Sequence, residues 1–182
     1  MPLLNSIASP YADALLQVSD QRQESDLVAE QAKQILQLWQ ASPELRDTMT
    51  SPVIEPEVKK AALVSIFNDQ VSPALLNLMK LMADRQRISL LDAVLARFLE
   101  LFREQRGISL ASVTSATPLS EAQQDRLRAK VKAVAGTESV EFDLSVDPAL
   151  IGGFVVSLGS QVIDASLAGQ VRRLGLALAK AG

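Results

Sequence analysis

Residues 147–174 read DPALIGGFVVSLGSQVIDASLAGQVRRL and run turn, strand, tight turn, strand, helix with almost no spare residue. Asp147-Pro148 opens a turn, because proline fixes its own φ and pushes the residue before it away from helix. Gly152-Gly153 frees two positions from the Cβ restriction just before a strand. Phe154, Val155, Val156 and Leu158 make that strand short and apolar. Gly159-Ser160 fits a two-residue hairpin turn with glycine first, and Gln161 to Asp164 returns antiparallel. Ser166 is placed to cap a helix, with Leu167, Val171, Leu174 and Leu178 along one face.

Upstream of this stretch, VEFDLSV alternates at Val140, Phe142, Leu144 and Val146, as a half-buried strand does. Before it, Ser120 and Gln123 form a capping box for a helix to about Ala135, with Leu127, Val131 and Val134 on its face and Gly136 ending it. ISLASVTSA, from Ile108, is rich in β-branched and small residues and reads as a strand, although its alternation slips near Ala111. Pro118 follows it. The predicted order is strand, helix, three strands, helix, which makes 107–182 a small α+β module with a single sheet covered by helices.

Residues 1–106 contain no glycine, and their apolar spacing is helical throughout. The first helix carries Tyr11, Ala14, Leu15 and Val18; whether it starts near Leu4 or at Ser9-Pro10 is open. A second runs from about Gln23 to Gln40 with Val28, Ala32, Ile35, Leu36 and Trp39 in register. Ser42-Pro43 starts a short third helix, and Pro56 a fourth with Val58, Ala62 and Ile66 facing in. Ser72-Pro73 starts the fifth, which is apolar nearly all round at Leu75, Leu76, Leu78, Met79, Leu81 and Met82. Such a helix is buried on all sides or partly reserved for a partner. Ser89 and Asp92 resemble a capping box for the sixth, whose stripe is Leu91, Val94, Leu95, Phe98 and Phe102, with Gly107 as its C-terminal cap. The expected fold is mostly α in two domains: a six-helix bundle over 1–106, then the α+β module over 107–182.

Composition narrows the function. The chain has 182 residues, 48% apolar and only 4% aromatic, so its core is aliphatic. Its formal charge of −3 shows no basic excess for a nucleic acid. Cys and His are both absent, which removes disulfides, thiolate ligands, the commonest general base and the commonest zinc ligand. No apolar run approaches the roughly 20 residues needed to span a bilayer. The N-terminus has neither a basic flank nor a long apolar core, so no signal peptide is expected. We expect no direct membrane insertion; a role at a membrane would depend on partners.

No constellation carries catalytic chemistry. Gly152-Gly153 lacks the wider glycine frame, Lys and Ser/Thr of a phosphate loop. Glu141 and Asp143 lie on the outward face of an alternating strand and read as solvated charges. Asp164 beside Ser166 is a helix-start device, because no base is present to activate the serine. Arg172-Arg173 either grips an acidic partner or is a solvated face; Arg85 and Arg87 read as loop solvation. Catalytic, cofactor-binding and metal residues are therefore expected to be none.

The ordered set Asp147, Leu150, Gly152, Gly153, Phe154, Val156, Gly159, Ile163, Asp164, Ser166 and Leu174 resembles the C-terminal signature of the delta subunit of F-type ATP synthases, the oligomycin-sensitivity-conferring protein family. Ser157 departs from it, where the family usually carries a charged or amide side chain. SPYADALLQV resembles the family's first helix, with its PYA triplet. NLMKLMADRQRISLLDAVLARF resembles the fifth and sixth, including the basic turn at Arg85 and Arg87. Residues 21–70 match only by helix pattern and around Pro52 and Lys60.

The resemblance implies a non-catalytic peripheral-stalk subunit that links the catalytic head to membrane-anchored b-type subunits and resists rotation. It implies that an alpha-subunit N-terminal helix docks between the first and fifth helices, on Tyr11, Ala14, Leu15, Leu75, Leu78, Met79 and Met82. It assigns the C-terminal module to the b-type stalk ends, for which Arg172, Arg173, Leu176 and Ala177 of the last helix are the candidates. Asp147, Gly152, Gly153, Gly159, Asp164 and Ser166 are expected to be structural. The implied location is peripheral, on the cytoplasmic side of a bacterial plasma or thylakoid membrane, or stromal if organellar; SPYADALLQVS suggests a photosynthetic bacterium. The alternative is a free regulatory adaptor that binds amphipathic helices.

Overall fold

The computed structural model describes residues 2–68, 70–136, 139–159 and 161–173. Before the first strand come α1 (Pro2–Gln21), α2 (Ser25–Ala41), α3 (Pro43–Thr50), α4 (Pro56–Phe67), α5 (Pro73–Asp84) and α6 (Leu91–Arg106). Then follow β1 (Ile108–Ser115), α7 (Glu121–Ala135), β2 (Ser139–Val146), β3 (Phe154–Leu158) and β4 (Gln161–Asp164). Helical residues 167–173 form α8. The fold is α+β, and the chain divides into two compact units, 1–102 and 103–182.

In the first unit, α1 begins at Pro2 and carries Pro10 in its interior, so Ser9-Pro10 is not its start. It buries Ala8, Ala12, Leu15 and Ser19, a narrow stripe of mostly small side chains. The turn into α2 is closed by polar contacts. The Ser25 hydroxyl donates to the Asp20 carboxylate and lies 3.2 Å from Ser19 Oγ. Ser72 caps α5 by accepting from the Leu75 N–H at 3.3 Å, and its own N–H donates to Gln31 Oε1 at 2.8 Å. That pair of bonds pins the start of α5 to α2. Leu75, Met79, Met82, Leu91, Leu95 and Phe98 fill the interior. Each such side chain contributes about 1.5–3 kcal/mol by leaving water.

Two helical expectations change. In α4 the inward face is Lys59, Leu63 and Phe67, one position round from the expected Val58, Ala62 and Ile66. Val58 is 57% exposed and Lys59 only 5%. The lysine stem packs as hydrocarbon while its ammonium donates to the Ser51 carbonyl at 2.7 Å, so the charge stays solvated by the backbone. At α6, a 3-10 turn at Ile88–Leu90 leads directly into the helix, and Asp92 accepts from the N–H of Ala93. Ser89 lies within that turn, where the extended backbone that an N-cap requires is lost.

The second unit is built on a sheet of order β2-β1-β3-β4. β1 and β2 are parallel, joined through α7, whereas β3 runs antiparallel to both β1 and β4. The slip at Ala111 is resolved by burial: Ala111, Val113 and Ser115 face the core and Leu110 faces out. Ser120 and Gln123 close the reciprocal capping box of α7, and Gly136 ends it in the left-handed conformation. The core is Ala111, Val113, Leu127, Val131, Val140 and Val156. On β2 the alternation holds in register, but Leu144 and Val146 are exposed where Val140 is buried. β2 is an edge strand, and α7 covers the half of it around Val140 and Phe142.

Candidate partner-binding surfaces

On α1, Ile7, Tyr11, Ala14 and Val18 recur at helical spacing beside the buried stripe, and Ile7, Ala14 and Val18 are exposed while Tyr11 is half-buried. On α5, Leu81 is exposed although its neighbours Met79, Met82 and Ala83 are buried. Arg87 donates to the Tyr11 hydroxyl at 3.0 Å, so the basic turn after α5 orients the tip of that ring. The seven residues expected to line a groove therefore divide. Leu15, Leu75, Leu78, Met79 and Met82 are buried in this chain, and only Tyr11 and Ala14 reach the surface. Tyr11 is met by Arg87 through its hydroxyl, and Ile7 stands one turn before it on the exposed side of α1. The sequence reading did not assign Ile7 to the groove, although that spacing made it findable.

In the second unit the signature residues meet at one joint. Asp147 accepts from the Ala149 N–H at 2.9 Å, and its own N–H donates to the Ser115 carbonyl at 2.9 Å, tying the turn to the end of β1. Ile151 follows with φ at 63°, a costly value for a β-branched residue. Gly153 has φ of 80°, and a Cβ there would overlap the Ala165 carbonyl oxygen. Only glycine permits both the turn and that approach. The approach lets Ala165 N–H donate to Phe154 O at 3.0 Å and Leu167 N–H donate to Gly152 O at 2.9 Å. Gly159 marks the β3–β4 hairpin with φ of 56°.

Asp164 and Ser166 start α8 together. One carboxylate oxygen of Asp164 accepts from both the Ser166 N–H at 2.9 Å and its hydroxyl at 2.6 Å. The same hydroxyl oxygen accepts from Gly169 N–H at 2.9 Å, which is the helix cap. The Ser166 hydroxyl and then its N–H hold the Asp164 carboxyl below the ordinary carboxylate value. Arg173 donates to the Asp164 carbonyl at 3.2 Å, and its guanidinium lies 4.0 Å from the carboxylate. Arg173 thus folds back on its own chain, and Arg172 is exposed. Leu176 and Ala177 lie outside the described residues. The expected inward stripe of α8 is not what the described part buries: Ser166 and Gly169 face in, while Leu167 is exposed and Val171 is 68% exposed. Leu174 and Leu178 are beyond the described residues. The joint requires small side chains on that face, because Gly169 sits directly against the Asp164 carboxylate.

The described side chains of these surfaces serve packing and capping. The model of the family "ATP synthase delta (OSCP) subunit" matches residues 7–178. The ATP synthase subunit delta of Synechococcus sp. strain CC9902 is 68% identical over 181 residues, covering 100% of both chains. The chain belongs to the ATP synthase delta (OSCP) subunit family. The organellar chromatophore delta subunit of Paulinella chromatophora is 65% identical over 182 residues, again covering all of both chains. A chain in the cryo-EM structure of the Toxoplasma gondii mitochondrial ATP synthase hexamer shares the fold, with a TM-score of 0.72 over 94% of this chain and 96% of its own at 20% identity. Delta subunits are structural members of their complex rather than catalytic ones. Among the described residues, no helix is long and apolar enough to cross a membrane.

Proposed function

We infer that the chain is a non-catalytic peripheral-stalk subunit of an F-type ATP synthase, which holds the catalytic head against rotation of the central shaft. The full-length match to delta subunits carries this reading. A stator must hold head and stalk at once, and two separately cored units suit that task. We read the helices of the first unit as a six-helix bundle that binds alpha-subunit N-terminal helices. Its surface for them centres on the strip of Ile7, Tyr11, Ala14 and Val18, which recur at helical spacing along α1 beside its buried stripe. Leu15, Leu75, Leu78, Met79 and Met82 support that strip from below. The mode is a helix laying its apolar face on a groove.

The second unit binds the C-terminal ends of the b-type subunits. The protein is then peripheral, held at the cytoplasmic face of a plasma or thylakoid membrane by its partners. The test is affinity capture of the tagged full-length chain from solubilised membranes of its source. Alpha and b-type subunits are expected in stoichiometric amounts. Capture of amphipathic partners without either subunit would identify a free adaptor instead.

A further inference from the structure

Among the described residues, the helix seen to pack on the inner face of the sheet is α7. Strands lie about 4.8 Å apart and a helix is about 10 Å across, so one helix covers about two strands. α7 covers the β2–β1 side: Leu127 and Val131 enter the core, and the Arg128 guanidinium lies 5.4 Å over the Phe142 ring. The register puts Phe154 and Val156 of β3 and Ile163 of β4 on that same face. Ile163 is exposed and Phe154 is only half-buried.

Between α7 and β3 lies a cleft of about 200 Å³, lined by Leu119, Gln123, Arg126, Leu127, Lys130 and Phe154. Four of these recur three and four positions apart along α7, so one helical face forms the wall. Arg126 and Lys130 are exposed, and neither is paired with a described residue, whereas Arg128 on the neighbouring face pairs with Asp125 at 3.0 Å. Two exposed cations without a partner among the described residues, one turn apart on the rim of an apolar cleft, stand out in a chain whose net charge is −3.

We propose that this cleft docks an acidic amphipathic helix of a partner protein. One large apolar side chain of the partner enters against Leu119, Leu127 and Phe154. Two carboxylates four positions apart, about 6 Å along the partner helix, meet Arg126 and Lys130. This deepens the stator reading, in which the second unit receives the stalk, and places that contact on α7 rather than on Arg172 and Arg173.

The probe is a fluorescein-labelled 20-residue designed helix with a leucine stripe flanked by glutamates at i and i+4. It is compared with glutamine and lysine versions, each against the full-length chain and against R126E/K130E. Both substituted side chains are exposed, and circular dichroism verifies the fold. The glutamate helix is expected to bind the natural chain, with affinity falling as salt rises. Binding should drop at least 10-fold in R126E/K130E, and the lysine helix should prefer that variant. Equal binding by the glutamine helix, undiminished binding by the variant, or no binding to the natural chain overturns the proposal. Binding to phosphatidylglycerol vesicles that depends on both cations, without glutamate-helix binding, also overturns it and assigns the cleft to a lipid surface. Capture experiments separate the two readings. A variant that retains alpha and loses b-type subunits supports both. If even the natural chain captures no ATP synthase subunit, the stator reading falls, while charge-swapped peptide binding still supports the cleft.

Discussion

Ser166 is the residue on which the second unit's joint turns. Its hydroxyl donates to Asp164 and accepts from Gly169, so Ser166→Ala removes a cap and leaves the carboxylate with one donor fewer. We expect a loss of about 1 kcal/mol of stability in urea denaturation. Asp164 adds a pH dependence with a definite sign. Its carboxyl is held below the ordinary value of 3.8, so the folded state binds its proton less readily than the unfolded chain does. The stabilisation is fully present above the ordinary carboxylate range and is lost as pH falls through the lowered folded value. Asp164→Asn should flatten that acid limb relative to the natural chain, and an unchanged limb would refute the assignment. At Gly153, alanine meets both a positive φ and the Ala165 carbonyl. Gly153→Ala should cost about 1–3 kcal/mol, read as a lowered melting temperature.

At the scale of helices, the distinction is between side chains that build the α1–α5 packing and those that lie on it. Met79 is fully buried, and a carboxylate there has no partner. Met79→Asp should therefore cost several kcal/mol and unfold the first unit, so it says nothing about partners. Val18→Asp and Ile7→Asp place the same charge on exposed positions of α1. These variants should keep the natural helical circular dichroism and lose affinity for an alpha-subunit N-terminal peptide by 10-fold or more. Full peptide affinity in both would move the head contact away from α1. α4 carries a related lesson. Its apolar count pointed to Val58, yet the buried position is Lys59, whose long stem serves as hydrocarbon once Ser51 takes its ammonium bond. A hydropathy pattern cannot register that exchange.

For the whole molecule, the division falls at Phe102/Arg103, within the last turns of α6. Each side has its own buried core, Met79 and Phe98 in one, Val113 and Val156 in the other. A chain ending at Arg106 is expected to give a cooperative, helical thermal melt and to bind the alpha peptide as the full chain does. It should show no binding of a b-type C-terminal peptide. Retention of b-type binding by 1–106 would place the stalk contact on the helical half and contradict the division of labour.

Local chemistry was enough to read the order of elements. Ser72-Pro73, the Ser120–Gln123 box, Gly136 and the run from Asp147 to Ser166 act through bonds spanning a few residues, so they are written in adjacent letters. The absence of His and Cys bounded the chemistry in the same direct way. Tertiary structure alone decided which face of each element is covered. β2 lies at an edge, so Leu144 and Val146 are exposed despite faultless alternation. α8 turns Ser166 and Gly169 inward because its first turn must clear the Asp164 carboxylate, and Leu167 and Val171 are exposed as a result. The Leu119–Phe154 cleft joins residues 35 positions apart through the β1–β3 pairing, and no local spacing encodes it. Burial depends on what packs from elsewhere in the chain, and that is a property of the fold rather than of any stretch of sequence.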